Sequence, residues 1–275
     1  MPAVHCPDFF PLQQSMSASS MSASSMSAFS CRYRIGWSLR WIFGLAVTAI
    51  SVLSPVSAQS APGNDLLQPG TMQARVAACT ACHGEQGKAG ADGYYPRLAG
   101  KPSDYLYHQL LNFRDGLRLY RPMTHLLAGL PDDYLREIAA YFADQHVPYP
   151  PAVRAAVSPD MLEHGRVLAM QGDPARGLPA CVACHGTALS GHSPAIPGLL
   201  GLPRDYIGAQ IGGWKNGLRR AAAPDCMADV AQKLTPEDIG ALSAWLSSRP
   251  VVEPYQPDPA GETALPAECG SQAQR

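Results

Sequence analysis

Two stretches of the chain carry apolar and aromatic residues at matching helical intervals. Tyr105, Leu106, Gln109, Leu110 and Phe113 fall three and four apart, on one helix face, and Tyr206, Ile207, Gln210, Ile211 and Trp214 repeat the arrangement. A second pair of helices shows apolar faces at Leu135, Ile138, Ala139 and Phe142 and at Ile239, Leu242 and Leu246. Their starts are marked. Thr235 stands where an N-cap is needed, Pro236 at the first helical position, and Glu237 and Asp238 in the first turn. Pro131, Asp132 and Asp133 begin the matching helix. Further helices are expected over 71–82 and 161–171, the second followed by a loop over 172–179. No segment alternates with period two, so no strand is predicted. The fold class that follows is all-α.

The helices belong to an internal duplication. From Tyr95 the chain reads YPRLAGKPSDYLYHQLLNFRDGLR, and from Ile196 it reads IPGLLGLPRDYIGAQIGGWKNGLR. Aligned without gaps, 10 of the 24 positions are identical, among them Pro96 with Pro197, Tyr105 with Tyr206, Gln109 with Gln210 and Arg118 with Arg219. The aromatic positions of these helices read as packing.

Ahead of each copy stands a short motif: Cys79-Thr80-Ala81-Cys82-His83 and Cys181-Val182-Ala183-Cys184-His185. C-x-x-C-H is the attachment signature of c-type haem. On a helix the cysteines and the histidine share a face. The two thiols can form thioethers to the vinyl groups, and the imidazole then points at the iron. A dithiol redox pair or a zinc site uses paired cysteines too, but neither calls for a histidine after each pair. The expected cofactors are two covalently bound haem c groups, held by Cys79, Cys82, Cys181 and Cys184. Gly84 to Ala89 lacks the spacing and the Ser or Thr of a phosphate loop and reads as a haem-edge loop.

Composition adds boundaries rather than chemistry. The 275 residues are enough for two small domains, and the formal net charge of −1 gives no sign of nucleic-acid binding. Residues 1–58 hold a Met-Ser-Ala-Ser-Ser repeat, then Arg32, Arg34 and Arg40, an uncharged apolar run from Trp41 to Val52, and small residues at Val56-Ser57-Ala58. This is the pattern of an export signal, with Gln59 as the expected mature start and the periplasm as destination. The alternative is an uncleaved anchor that leaves the protein facing the periplasm. Residues 59–147 form a first domain, 148–159 a proline-rich linker, 160–249 a second domain and 250–275 a tail expected to drape over the surface. Cys226 and Cys269 are the mature chain's cysteines outside the motifs. In an oxidising compartment they can pair and tie the tail beside the second haem, or stand as two free thiols.

Each histidine, His83 and His185, needs an axial partner across the iron. Met123 and Met227 each stand seven residues before an equivalent leucine, Leu130 and Leu234, and between the Gly-Leu-Arg landmark and the last helix. Met/His ligation raises the potential of a c-type haem. His125 rivals Met123 because it lies two residues away. The carbonyls of Pro96 and Pro197 are candidates to accept a hydrogen bond from the other ring nitrogen of each histidine. His108, His146, His164 and His192 have no counterpart in the other copy and read as surface or packing residues.

The paired motifs, the downstream methionines, the Pro-x-Leu loops and the stretch from Met227 to Trp245 resemble the two-haem cytochromes of the c4 type. The resemblance spans residues 70–249. It implies two tandem class I cytochrome c domains facing each other across a pseudo-twofold axis, a proline carbonyl bonded to each proximal histidine, and electron carriage to terminal oxidases. On this reading the protein shuttles single electrons between respiratory-chain partners such as a quinol oxidoreductase and a terminal oxidase, and is not an enzyme. Two alternatives stand beside it. One is a haem enzyme, peroxidase-like or thiosulfate-dehydrogenase-like, with one open iron site. The other is the cytochrome subunit of a larger membrane-associated dehydrogenase. The chain departs from the family pattern in its long N-terminus, its extra tail, Cys226 beside Met227, and a shorter path from Arg118 to Met123 than from Arg219 to Met227.

Overall fold

The computed structural model describes residues 70–90, 93–259 and 265–272, all within one compact unit. The expected leader, signal and mature start at Gln59 lie outside the described residues. Two helical arrangements, of four and five helices, follow one another among the described residues. The first contains α1 (Met72–His83), α2 (Ser103–Arg114), α3 (Arg121–Leu127) and α4 (Asp132–Ala143). The second contains α5 (Pro159–Gln171), the short α6 (Val182–His185), α7 (Arg204–Lys215), α8 (Cys226–Lys233) and α9 (Pro236–Ser248). In the first copy α1 runs directly into His83. In the second, the helix stops at Gln171, a loop with a 3₁₀ turn at Pro174–Arg176 intervenes, and α6 carries the motif.

Local chemistry sets the helix starts. Thr71 accepts from Ala74 N–H at 3.2 Å, Ser158 from Met161 N–H at 3.2 Å, and Asp225 from Ala228 N–H at 3.1 Å. At α9 the Thr235 hydroxyl accepts from Asp238 N–H at 3.2 Å and the Asp238 carboxylate accepts from Thr235 N–H at 2.9 Å, a reciprocal capping box. Pro159 is the first residue of α5, so the linker ends one residue earlier than expected. The segments bearing Met123 and Met227, which carry no long apolar period, are the helices α3 and α8. Strands are present after all, in the smallest form. β1 (Gly191–His192) pairs antiparallel with β2 (Ile196–Pro197), too short for any alternation to register.

The apolar faces read from the sequence form the cores. Leu135, Ile138, Ala139 and Phe142 of α4 are buried with Val76, Leu106, Phe113 and Leu127. Leu242 of α9 packs with Leu168, Leu178 and Leu234, while Ile207 and Leu246 form a third cluster with Leu189. The two copies also share a closing device. Arg114 at the end of α2 donates to the Leu130 carbonyl at 2.9 Å, and Lys215 at the end of α7 donates to the Leu234 carbonyl at 2.8 Å. Both bonds satisfy a carbonyl at the end of the methionine-bearing segment.

The linker is pinned rather than free. The buried Arg97 guanidinium donates to the carbonyls of Ala99 (3.1 Å), Pro148 (3.2 Å) and Val147, and lies 3.9 Å from the centre of the Tyr149 ring. Tyr149 in turn meets Tyr255 of the tail edge-on, with ring centres 5.3 Å apart. The tail does not merely drape. The Tyr255 hydroxyl donates to the Leu189 carbonyl and accepts from Leu200 N–H at 3.0 Å. Asp258 N–H donates to Gly191 at 2.9 Å, and Ser193 N–H donates back to Asp258 at 2.8 Å.

Candidate functional site

Each motif ends in a glycine that turns the chain sharply. Gly84 and Gly186 have φ of +75° and +81°, and a Cβ at Gly84 would stand 2.5 Å from the Ala89 carbonyl oxygen. The turn lets the next loop return over the histidine. His83 Nδ1–H donates to the Pro96 carbonyl at 2.8 Å, and His185 Nδ1–H donates to the Pro197 carbonyl at 2.8 Å. Carbonyls only accept, so the bond fixes the tautomer and leaves the Nε2 lone pair of both rings available. Burial pulls the pKa of both rings below the ordinary value, against the opposing pull of these carbonyls. Burial thus favours the neutral imidazole, the form that ligates metal.

Both histidines open onto cavities. The first, about 730 Å³, is lined by Cys79, Cys82, His83, Pro96 and, from α3, Met123. The second, about 220 Å³, is lined by Cys181, Cys184, His185, Pro197 and, from α8, Met227. His125 is exposed and does not line the first cavity, whereas Met123 does. No disulfide joins the motif cysteines, and burial pushes the thiols of Cys79 and Cys181 up to about 11. A dithiol redox centre needs the opposite shift. No cluster of His, Cys, Asp and Glu among the described residues forms a metal-binding group.

Buried charge says what else the cavities must hold. Lys101, Arg118 and Arg219 are each less than 10% exposed and line the first cavity; Lys101 and Arg219 also line the second. None of the ion pairs among the described residues involves them. Burial lowers the pKa of Lys101 and of Arg219. Cations buried without a counter-charge are strongly destabilising. In the second cavity the indole N–H of Trp214 and a ring nitrogen of His108 are buried with no partner. Thiols to bond the vinyl groups, an imidazole and a thioether for the iron, and unpaired cations for carboxylates together fit a haem, with its two propionates, in each cavity.

Comparison with known proteins agrees with that fit. The cytochrome c family model matches residues 68–141. A cytochrome c4 of Pseudomonas aeruginosa is 36% identical over 176 residues, covering 63% of this chain and 85% of the relative. The chain belongs to the cytochrome c4 family. It binds two covalent haem c groups and is a two-haem electron-transfer cytochrome. The crystal structure of reduced recombinant cytochrome c4 from Pseudomonas stutzeri superposes with a TM-score of 0.56 at 33% identity, covering 64% of this chain and 95% of that one. A protein named thiosulfate dehydrogenase electron acceptor, from Thiomonas intermedia (strain K12), is 35% identical over 181 residues, covering 64% of this chain and 80% of the relative.

Cys226 and Cys269 form a disulfide, with Cα atoms 5.2 Å apart. The sequence reading missed the function of three repeated pairs. Tyr105 with Tyr206, Gln109 with Gln210 and Arg118 with Arg219 form the junction between the two domains, and Tyr105 also packs against the first core, as expected of the aromatics. Their identity in both copies was the available signal, since helix packing alone rarely demands the same polar side chain twice.

Proposed function

We propose that this protein is a periplasmic carrier of single electrons between respiratory-chain partners, and that both of its irons are held from two sides. Bound haem supplies a metal that takes up and releases one electron. Cys79, Cys82, Cys181 and Cys184 anchor the groups covalently. His83 and His185, oriented by Pro96 and Pro197, would each hold an iron through a ring nitrogen, and Met123 and Met227 would hold it through a thioether sulfur. Lys101, Arg118, Arg219 and Trp214 offer donors to the propionates. The apolar walls exclude water, which keeps reorganisation small when charge changes.

The observation that carries this reading is the presence in each cavity of one ring-oriented histidine and one methionine, delivered by different helices. A doubly held iron has no vacant position for a substrate, which supports carriage over catalysis. Partners are redox proteins: a quinol oxidoreductase or another dehydrogenase as donor, an oxidase or reductase as acceptor. The name of the Thiomonas relative adds a thiosulfate-oxidising enzyme to the candidate donors. Among the described residues no helix is long and apolar enough to cross a membrane, and export rests on the signal-like pattern before Gln59.

The test is the ferric Met–iron charge-transfer band in Met123→Ala and Met227→Ala variants. Each substitution removes about half of the band, whereas His125→Ala leaves it intact. Full retention in both methionine variants overturns the ligand assignment. Rapid binding of carbon monoxide at one haem of the resting reduced protein overturns the carrier reading.

A further inference from the structure

The two cavities are bordered by different elements. Around the first, the large apolar residues Tyr94, Leu119, Leu126 and Leu218 line the space yet stand 62, 55, 39 and 52% exposed. Cys82 is exposed on the same cavity. None of the exposed large apolar residues described lines the second cavity. Its wall includes Leu265, Pro266, Ala267, Cys269, Ser271 and Gln272, which lie beyond the duplicated helices and have no equivalent in the first copy.

This piece of tail is fastened to the element that bears Met227. Cys269 is bonded to Cys226, the residue before that methionine and the first of α8. Gly270 N–H donates to the Pro224 carbonyl at 2.9 Å. Contact there is close enough that a Cβ at Gly270 would lie 2.3 and 2.5 Å from the carbonyl oxygens of Ala223 and Ala222. Upstream, Tyr255 and Asp258 hold the approach to the cover against the loop that begins after His185. The loop leading into α8, three residues longer than its counterpart before Met123, is the surface on which the cover rests.

We propose that residues 265–272 are a disulfide-latched cover that closes the second haem cavity to water and to exogenous ligands, leaving the first cavity as the accessible one. The inference rests on the ligation proposed above. Displacing a distal methionine requires its helix to swing outward, which is a local opening event. In the first domain no disulfide ties α3 to a segment beyond the duplicated helices among the described residues. In the second, α8 is tied at its first residue to a segment that packs over the same cavity.

Imidazole added to the oxidised holoprotein is the probe, and decay of the Met–iron charge-transfer band is the readout. The band's presence before addition reports the ligation reading separately. In the full chain the residual band of Met123→Ala, which reports the second cavity, decays at least about tenfold more slowly than that of Met227→Ala. Equal or reversed rates overturn the cover without any change to the tail. With Met123→Ala as background, Cys269→Ser and truncation after Pro259 each accelerate the decay to about the rate of the first cavity. An unchanged rate in both overturns the proposal. Thiol titration of Cys269→Ser, showing Cys226 newly free, confirms that the latch was removed.

Discussion

Arg118 and Arg219 exchange partners across the junction of the two domains. Arg118 donates to Gln109 of its own copy at 2.9 Å, and to Gln210 and Tyr206 (3.3 Å) of the other. Arg219 donates to Gln210 of its own copy at 3.0 Å, and to Gln109 (3.0 Å) and Tyr105 (3.3 Å) of the other. Their backbones pair as an antiparallel bridge, flanked by Leu119 N–H to the Leu218 carbonyl and Arg220 N–H to the Leu117 carbonyl, both 2.8 Å. Each guanidinium also lies over an aromatic ring of its own copy, Phe113 at 4.4 Å and Trp214 at 3.8 Å. The contacts of this set are reciprocal between the two copies.

Replacing either arginine by lysine breaks the fork that serves two glutamines at once. Arg118→Lys and Arg219→Lys each cost about 1–3 kcal/mol, because the half-buried amide oxygens of Gln109 and Gln210 lose their donors. Calorimetry shows this as a lowered Tm, and as separation of the two domains' transitions where the native chain melts as one. Arg118→Lys combined with Arg219→Lys costs less than the sum of the singles, since both act on the same two glutamines.

Asp238 predicts a pH dependence confined to acid. Its carboxylate accepts from Arg176 at 2.6 Å, from His164 at 2.7 Å and from Thr235 N–H at 2.9 Å. Burial on its own would raise the pKa, but Arg176, the Thr235 amide and His164 together hold it down at about 2, against an ordinary 3.8. The folded value lies below the unfolded one. The stabilisation is therefore complete above 3.8 and disappears as pH falls through about 2. Asp238→Asn should lose about 2 kcal/mol near neutral pH. The Tm gap between variant and native protein should then close across that acid window.

Gly165 of α5 faces α9 with no room for a methyl group. A Cβ there would stand 2.2 Å from the Ala241 carbonyl oxygen and 2.8 Å from the Trp245 Cβ. Gly165→Ala costs about 3 kcal/mol by forcing the two helices apart, against about 1 kcal/mol gained in helix propensity. Gly240 is the matched control. Nothing lies within 4 Å of its hypothetical Cβ, so Gly240→Ala raises the stability by up to about 1 kcal/mol. Urea denaturation of the two variants gives opposite shifts.

How far the sequence revealed these features depends on the range of the interaction. Helices with a long apolar face, such as Leu135 to Phe142, announce themselves through period, and α9 through the cap at Thr235. Met123 and Met227 stood out by their matched distance to a leucine, but α3 and α8 are too short for a period to accumulate. The two-residue strands at Gly191 and Ile196 have no alternation to detect. Repeated Arg, Gln and Tyr positions were visible, while their meeting across the junction depends on how two domains dock, which no local pattern encodes. His164 read as a surface or packing residue, and its bond to Asp238 spans 74 positions of sequence.

The disulfide asks opposite things of sulfur atoms in one chain. Four cysteines must stay reduced until vinyl carbons have added to them, and two must be oxidised to each other across 43 positions. Their order in the chain helps. Cys79, Cys82, Cys181 and Cys184 all precede Cys269 in the chain, so synthesis delivers the tail's thiol last. Maturation of this cytochrome therefore requires haem attachment and disulfide formation to be kept apart in time or in enzyme. A cell compartment that oxidises thiols indiscriminately would yield a chain with its haem-bonding thiols already spent.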